Sequence, residues 1–343
     1  MQVDAVTMPR SRCLAVPKKR AQEAKARLSG LGLLRNDLRP GRDGETVYLP
    51  MKDGGFAGEG RVCEHDFEPA GRPAPNYREA ARVPPEARKL LPRAFDVIGA
   101  VIVIKIPDEL AQYRGEIGAA LLRARPEARS VTSDRGVKGE DRVRDLEVIA
   151  GEPCLETIHV EHGLRFMLDP SKVYFSPRLA TERLRVAGLV KEGEAVLDMF
   201  AGVGPFAIHI AKRARPSVVR AADINPAAIE YLKANLRLNK VSGVEPILSD
   251  ARELPGRVPP ADRIIMNLPH SAFDFLPGAL EMLGPGGTVH LYDIIARDKK
   301  AERREAVEAA VEAAGRKPAS CHLRLVRGYS TMESHFVFDL RVD

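Results

Sequence analysis

The residues best suited to chemistry form the segment Asp-Met-Phe-Ala-Gly-Val-Gly-Pro-Phe at positions 198–206. It predicts a strand that ends near Asp198, a tight loop at Gly202 and Gly204, and a helix that follows. Glycine lets backbone amides approach a ligand closely and adopts positive φ. The segment is not G-x-G-x-x-G, because Ala207 takes the third glycine position, and no P-loop Gly-Lys-Ser/Thr follows. An acid at the strand end repels a pyrophosphate and suits an ammonium group, although a purely structural turn would use the same glycines.

Two further aspartates are expected at the ends of the next two strands. Asp223 lies 19 residues after Gly204, where an acid accepts hydrogen bonds from both hydroxyls of a ribose. Asp250 closes the sequence Ile-Leu-Ser-Asp, where a carboxylate can take the amino group of an adenine. Each aspartate alone is equally consistent with an N-cap of the next helix. Three acids on one carboxyl edge favour a class I S-adenosylmethionine site, with S-adenosylhomocysteine as product.

The sequence Asn267-Leu268-Pro269 follows the fourth predicted strand and takes the place of the N/D-P-P-Y motif of amino-group methyltransferases. In that motif the Asn side chain and a backbone carbonyl hold a planar nitrogen substrate. A simple Asn-Pro turn is the alternative. Because His270 follows Pro269 and no aromatic residue does, stacking must come from elsewhere. Tyr174 is a candidate for stacking on the adenosine or the base, and plain core packing is its other possible role.

The elements that must position these residues alternate between strand and helix from about residue 170 onward. This alternation predicts an α/β fold with a mostly parallel, doubly wound sheet, whose last two strands form an antiparallel hairpin at one edge. Residues 12–50 predict a small α+β unit. Pro and Gly crowd residues 54–85, which predicts a linker. Residues 86–165 predict a second α+β unit that begins with one strand over residues 96–106.

The composition is that of a globular chain with two or three domains: 343 residues, 44% hydrophobic and 29% charged. The longest apolar run, residues 97–106, contains Lys105 and is too short to span a bilayer, which takes about 20 residues. The four cysteines have neither disulfide-framework nor zinc-site spacing and are expected to be buried free thiols. No signal-peptide pattern is present at the start, so a cytoplasmic location is expected.

The net charge of +6 is spread unevenly along the chain. Residues 1–150 hold 27 Lys and Arg against 22 Asp and Glu, a net of +5, whereas the rest hold 26 against 25, a net of +1. The surplus therefore lies in the first half. It permits an anionic partner there without requiring one.

Two more segments are rich in functional residue types, KVYFSPRLATER at residues 172–183 and VKGEDRVRDLE at residues 137–147. A solvated basic face is their alternative interpretation. Together with D-M-F-A-G-V-G-P-F, D-I-N-P and N-L-P, they resemble the archaeal tRNA (guanine-37-N1)-methyltransferase family. The resemblance runs from the strand at Arg12 to the final hairpin and is strongest over residues 136–270.

The resemblance implies methyl transfer from S-adenosylmethionine to N1 of the guanosine immediately 3′ of the anticodon, with tRNA as the partner. It also implies three domains. Residues 1–70 contact the tRNA elbow, residues 71–168 form a middle RNA-binding domain, and residues 169–343 form a class I, Rossmann-like methyltransferase domain. We expect a monomer with no resident metal, no membrane contact and no protein partner.

The resemblance assigns roles to particular residues. Glu182 is the expected general base for the N1 proton, and Arg144 is the expected cation at O6. Asn267 holds the base edge and Pro269 shapes the turn. The expected cofactor residues are Tyr174, Arg178, Asp198, Phe200, Gly202, Gly204, Asp223, Ile224, Asp250 and Asn267. The expected RNA contacts are Lys138, Arg142, Arg144 and Arg183. Candidates for elbow phosphates, equally explained by surface solubility, are Lys18, Lys19, Arg20, Lys25 and Arg27.

Alternatives of different kinds stay open. A related wyosine-pathway enzyme transfers the aminocarboxypropyl group of S-adenosylmethionine, and another relative also methylates C7 of the tricyclic wyosine intermediate. The presence of Glu182, Arg144 and N-L-P favours N1 methylation over the first of these. The intact glycine loop and acids disfavour a non-catalytic RNA-binding protein with a decayed methyltransferase fold. The N-terminal unit disfavours a protein or DNA amino-group methyltransferase.

Overall fold

A computed structural model describes residues 8–54, 56, 58–69, 76–138, 143–330 and 332–343, with only the backbone at position 138. The chain divides into two compact units, Met1–Pro75 and Asn76–Asp343. The predicted middle and methyltransferase domains both belong to the second unit. Among the described residues, no helix is both long enough and apolar enough to cross a membrane.

The first unit is an antiparallel sheet of order β2-β3-β1-β4 with one helix packed on it. Its strands are β1 (Arg10–Pro17), β2 (Gly41–Asp43), β3 (Thr46–Pro50) and β4 (Arg61–Asp66). Helix α1 (Ala21–Gly30) buries Leu28 in a core that includes Leu14 and Val16. Strand β4 corrects the prediction that residues 54–85 are a linker. It lies at the sheet edge with its side chains largely exposed, and so it carries little apolar signal.

Two of the four cysteines meet in this sheet, although 50 residues separate them in the chain. Cys13 and Cys63 are register partners on β1 and β4, and their sulfurs lie 3.4 Å apart as free thiols. Burial, followed by the contact with Cys63, raises the pKa of the Cys13 thiol to about 12. Cys154 is exposed, so the expectation of buried thiols is wrong there.

The second unit opens with a four-stranded sheet of order β5-β6-β7-β8. These strands are β5 (Asp96–Ile98), β6 (Val101–Ile104), β7 (Ser130–Lys138) and β8 (Val143–Gly151). The helices of this region are α2 (Tyr77–Ala80), α3 (Pro85–Leu90) and α4 (Arg114–Ala124). The single strand expected over residues 96–106 is in fact a hairpin, because Gly99 turns the chain with φ +55°.

A hairpin and a helix lead into the main sheet. Strands β9 (Thr157–Glu161) and β10 (Leu164–Leu168) pair antiparallel, and helix α5 (Ala180–Leu189) follows. Helix α5 buries Glu182, Arg183, Val186 and Ala187. It therefore turns two charged residues toward the interior, and each of them needs a partner there.

The main sheet has seven strands in the order β13-β12-β11-β14-β15-β17-β16. Its strands are β11 (Ala195–Asp198), β12 (Val218–Asp223), β13 (Val244–Leu248), β14 (Ala261–Met266), β15 (Leu283–Ala296), β16 (Pro318–Gly328) and β17 (Glu333–Val342). Its helices are α6 (Pro205–Arg213), α7 (Pro226–Asn239), α8 (Leu276–Met282) and α9 (Lys300–Ala313). Strands β11 to β15 are parallel, and β17 is antiparallel to both β15 and β16. The predicted doubly wound sheet with an edge hairpin is confirmed.

Each face of this sheet packs against its own apolar core. Neighbouring residues of one strand point to opposite faces, so Val196 and Ile265 belong to one core and Leu197 and Ile264 to the other. Burial on both faces gives the continuous apolar runs of parallel strands. The carboxyl ends of β11 to β14 thus meet at one edge, where ligands bind in open α/β sheets.

Candidate functional site

The loop after β11 has the conformation that its glycines permit. Gly202 and Gly204 have φ values of +55° and +86°, and Gly204 is the N-cap of α6. A Cβ atom on Gly204 would lie 2.2 Å from Cδ1 of Leu232, so no larger residue fits. The Asp223 carboxylate accepts the Gly202 amide at 2.7 Å and the Asn225 amide at 2.9 Å. The loop is therefore held to the end of β12.

Asp198 is fully buried at the end of β11. Its Oδ1 accepts a long bond of 3.4 Å from the Phe200 amide, and its Oδ2 has no hydrogen-bond partner among the described residues. Burial, with a further contribution from the charge of Asp223, raises the pKa of the Asp198 carboxyl to about 7. A buried carboxyl group next to a glycine loop, with one oxygen that no described residue contacts by a hydrogen bond, fits the ammonium group of an amino-acid ligand.

The remaining expected cofactor residues surround the same edge. Tyr174 is 40% exposed, and its carbonyl oxygen lies 3.6 Å from where a Gly202 Cβ would stand. Ile224 is exposed directly after Asp223. Asp250 caps the turn that follows β13 and pairs with Arg252 at 2.9 Å, which is the N-cap that the sequence left open as an alternative. Its second role, toward adenine, stays a prediction.

The N-L-P turn follows β14 and is tied to the neighbouring strand. The Pro269 carbonyl accepts the Ile294 amide of β15 at 2.8 Å. Asn267 Oδ1 is buried and has no hydrogen-bond partner in the described part of the chain. An amide oxygen left without a donor at this edge fits the N–H group of a planar substrate.

Glu182 lies on α5, is 3% exposed, and is held by three partners. Arg185 donates to both carboxylate oxygens, with a shortest distance of 2.7 Å, and the Tyr292 hydroxyl donates at 2.9 Å. Arg324 donates to Oε2 at 3.2 Å. Tyr292 follows Leu291, the register partner of Met266, and Asn267 follows Met266. The Tyr292 hydroxyl thus ties Glu182 to β15, the strand that pairs with β14 just before the N-L-P turn.

Arg144 meets this edge from β8 through a residue that the sequence did not single out, Asp96. One oxygen of Asp96 pairs with Arg144 at 3.3 Å and the other with Arg178 at 2.5 Å. Asp134 also pairs with Arg144, at 3.5 Å. The Arg144 guanidinium lies 6.0 Å from the centre of the Tyr174 ring. The only sequence signal for Asp96 was a buried acid at the start of an otherwise apolar strand.

The structure contradicts the expected RNA contact of Arg183. This residue is buried on α5, where it pairs with Glu161 at 2.5 Å and donates to the Ser176 carbonyl at 2.9 Å. A guanidinium that is buried and paired in this way does not reach a phosphate. Arg142 lies outside the described residues, as does the side chain of Lys138.

The five candidates for elbow contacts lie on α1 or just before it, and all five are exposed: Lys18, Lys19, Arg20, Lys25 and Arg27. Arg20 forms ion pairs with Glu23 and Glu59, and the Arg27 guanidinium lies 5.5 Å from the centre of the Phe56 ring. Their predicted contact with elbow phosphates remains a prediction.

The sheet, the glycine loop and the acids at the carboxyl edge define a class I, S-adenosylmethionine-dependent methyltransferase. The model of the TRM5/TYW2 methyltransferase domain matches residues 157–322. The models of the TYW2 N-terminal domain and the tRNA methyltransferase 5 N-terminal domain match residues 79–154 and 13–55. The chain belongs to the archaeal tRNA (guanine-37-N1)-methyltransferase family.

Individual relatives cover nearly all of the chain. It is 43% identical to the Pyrococcus abyssi tRNA (guanine(37)-N(1))-methyltransferase Trm5b, over 95% of this chain and 98% of that protein. The crystal structure of Trm5b from Pyrococcus abyssi has a TM-score of 0.73 and 41% identity, over 97% of this chain and 99% of that one. A tRNA(Phe) (4-demethylwyosine(37)-C(7)) aminocarboxypropyltransferase of Methanocaldococcus jannaschii is 34% identical, over 73% of this chain and 98% of that protein.

The raised pKa of Asp198 predicts a pH-dependent stability of the ligand-free protein. Because the folded pKa of about 7 exceeds the unfolded value, this group contributes most stability below pH 4 and loses it as pH rises toward 7. Asp198→Asn removes the titration. In thermal melts without ligand, the variant should therefore gain stability relative to wild type between pH 4.5 and pH 8, by about 1–3 kcal/mol.

Asp250→Asn is the matched control, because it changes an aspartate just after β13, two strands from β11 in the same sheet, that already has Arg252 as its partner. The gain of Asp198→Asn is compared with the change that this control shows in the same melts. A constant difference between Asp198→Asn and wild type at every pH would contradict the assigned pKa.

Proposed function

We propose that this protein transfers a methyl group from S-adenosylmethionine to N1 of guanosine 37 of tRNA. The observation that carries the proposal is the position of Tyr292, which donates to Glu182 and follows Leu291, the register partner of Met266. It supports a site at the carboxyl edge of the sheet bordered by the Glu182 carboxylate and by Asn267 Oδ1, which has no hydrogen-bond partner among the described residues. The name of the 43% identical relative, which states this reaction, supports the proposal further.

The first chemical requirement is the removal of a proton, because guanine N1 is a poor nucleophile while it carries one. We assign this step to the Glu182 carboxylate as general base. Its lone pairs are largely occupied by Arg185, Tyr292 and Arg324. The Arg324 side chain is 48% exposed, far more than the other two, and we expect it to move aside as the base enters.

The second requirement is a cation for the charge that develops on O6 as N1 loses its proton. We assign this role to Arg144, which Asp96 and Asp134 hold beside Tyr174. The guanine must leave the stack of the anticodon loop at a cost of a few kcal/mol. Asn267 then takes an N–H of the base, Pro269 fixes the turn, and Tyr174 offers a stacking surface.

When bound, S-adenosylmethionine supplies the methyl group. We assign its ammonium to Asp198, its ribose to Asp223 and its adenine to Asp250. Other proposed contacts are Tyr174, Arg178, Phe200, Gly202, Gly204, Ile224 and Asn267. The unpartnered Oδ2 of Asp198 and the positive φ of both loop glycines support this assignment.

The rest of the chain is assigned to tRNA. Lys138, Arg142 and Arg144 are the proposed contacts near the anticodon. The N-terminal unit, with Lys18 and its basic neighbours, is the proposed elbow-binding domain, and residues 13–55 match a tRNA methyltransferase 5 N-terminal domain. Phosphate contacts of this kind make binding weaken as salt rises.

A wyosine-pathway transfer is the second candidate, since residues 79–154 match a TYW2 N-terminal domain. The match of residues 13–55 to a tRNA methyltransferase 5 N-terminal domain favours N1 methylation instead.

The deciding experiment incubates the protein with S-adenosylmethionine and unmodified tRNA transcripts that carry guanosine, adenosine or uridine at position 37. We expect one methyl group on N1 of the guanosine transcript and none on the other two, as measured by nucleoside mass spectrometry. An aminocarboxypropyl adduct, or methylation at another position, would overturn the proposal.

Replacing the proposed base isolates its role. Glu182→Gln should lower turnover by about a hundredfold or more, because it removes proton abstraction. S-Adenosylmethionine affinity, measured by calorimetry, should stay the same. Glu161→Gln is the matched control, because Glu161 is also a buried, ion-paired carboxylate and lies outside the proposed chemistry. Similar turnover in the two variants would remove Glu182 from the mechanism.

Asp96 should act through the arginines that it holds. Asp96→Ala frees Arg144 and Arg178, and the resulting misplacement should lower turnover by about tenfold to a hundredfold. Asp96→Glu should restore part of the loss. Asp134→Ala, which loosens Arg144 alone, should have a smaller effect. Wild-type turnover in Asp96→Ala, measured below its melting temperature, would show that the ion pairs of Asp96 with Arg144 and Arg178 position no group that the reaction uses.

A further inference from the structure

His335 of β17 is 1% exposed, yet neither of its ring nitrogens has a hydrogen-bond partner among the described residues. Buried polar groups are nearly always paired, because losing water without a replacement partner is costly. The other buried histidines of this unit have partners. His209 contacts Glu161 at 2.9 Å, and His290 contacts Asp339 at 2.6 Å. His335 therefore stands out as a group whose partner comes from elsewhere.

The strand register places His335 on the face of the proposed base site. His335 pairs with Ile294 of β15, and Val337 pairs with Tyr292. Residues two apart on a strand share a face, so His335 lies on the same face as Tyr292, and their ring centres are 5.7 Å apart. Asn267 follows Met266, the last residue of β14, whose register partner Leu291 precedes Tyr292. Within the described part of the chain, Asn267 Oδ1 and both ring nitrogens of His335 lack hydrogen-bond partners, and both residues lie near the level of Tyr292 in the sheet.

The charges around His335 belong to the same site. Burial first, and then the charge of Arg327, lower the pKa of the His335 imidazole to about 4, while the nearby Glu182 carboxylate opposes this shift. The ring is therefore neutral near pH 7 and offers one donor and one acceptor. The Tyr292 hydroxyl donates its proton to Glu182 and forms no hydrogen bond with the His335 ring.

We propose that His335 is a substrate-contacting residue, whose neutral imidazole hydrogen-bonds the nucleotide that is flipped into the place between Asn267 and Glu182. This inference rests on the proposed function and adds a residue to it. Guanosine carries both donors and acceptors on its edges, so it can match either form of a neutral imidazole.

Two segments near the N-L-P turn contact each other. The loop after this turn carries His270, and the carboxyl end of β16 is followed by Tyr329. The two rings lie 5.5 Å apart, and the Tyr329 hydroxyl is 3.4 Å from His270 Nε2. The charge of His270 contributes to the lowered pKa of the His335 imidazole, so His270 lies near His335.

The test is His335→Phe, which keeps an aromatic ring and removes both nitrogens. Because these nitrogens have no protein partner, the melting temperature should stay the same or rise. Methylation kcat/KM on a guanosine-37 transcript should fall by about tenfold to a hundredfold. S-Adenosylmethionine affinity should be unchanged, and His335→Asn should retain more activity than His335→Phe. His290→Phe is the matched control and should lower the melting temperature, since it removes a partnered histidine.

Wild-type kcat/KM in His335→Phe would overturn the inference, as would a loss of activity that parallels a fall in melting temperature or S-adenosylmethionine affinity. The proposed function has its own readout in the same assay. A wild-type protein that methylates no guanosine-37 transcript removes both proposals. A wild-type protein that methylates it, beside an equally active His335→Phe, removes only the role of His335.

Discussion

The methyltransferase domain is organised around the need to compensate the charge of one buried carboxylate, that of Glu182. Glu182 faces the interior from α5, and an isolated charge there would be strongly destabilising. Arg185 compensates this charge and also donates to Asp339 at 2.8 Å, which ties β17 to α5. Burial alone would raise the pKa of the Asp339 carboxyl, but bonds from His290 and Arg185 lower it to about 2. Asp339 therefore stays charged as a partner of Arg185.

The network continues across the sheet and fixes the state of each member. Arg263 of β14 donates to Nε2 of His290 at 2.8 Å, and since arginine accepts no hydrogen bond, this nitrogen must be the acceptor. The proton of the neutral ring is then on Nδ1, which donates to Asp339. Arg263 in turn pairs with Glu194 at 2.8 Å. One satisfied chain of hydrogen bonds thus ties α5 to three strands and holds Glu182 without any ligand.

The local features of the site could be predicted from the sequence, and those that depend on register could not. The glycine loop, Asp223 and the N-L-P turn are each written in consecutive residues and appear where they were expected. The roles proposed for Asp96 and His335 depend on which residues of other elements lie next to them, and no spacing within the chain reveals this. The predicted RNA contact of Arg183 is wrong for a related reason. This residue belongs to a basic segment, yet the helix turns it inward toward Glu161, 22 residues earlier.

The contrast between satisfied and unsatisfied polar groups explains how such a site can be selective. The network around Arg185 is complete and makes the scaffold rigid, whereas Asp198, Asn267 and His335 each keep a buried atom that has no hydrogen-bond partner among the residues the structure describes. In a low-dielectric interior, hydrogen bonds are stronger than in water, and for the same reason the free-energy cost of an unpaired polar group is higher. A ligand that supplies the missing partners gains the full free energy of these hydrogen bonds. A ligand that lacks one of the matching groups leaves a buried polar atom unpaired and binds more weakly. The site therefore discriminates between ligands because the free protein leaves these polar groups unpaired, which makes it less stable. This is possible only if the surrounding hydrogen-bond network keeps the site in shape without a ligand.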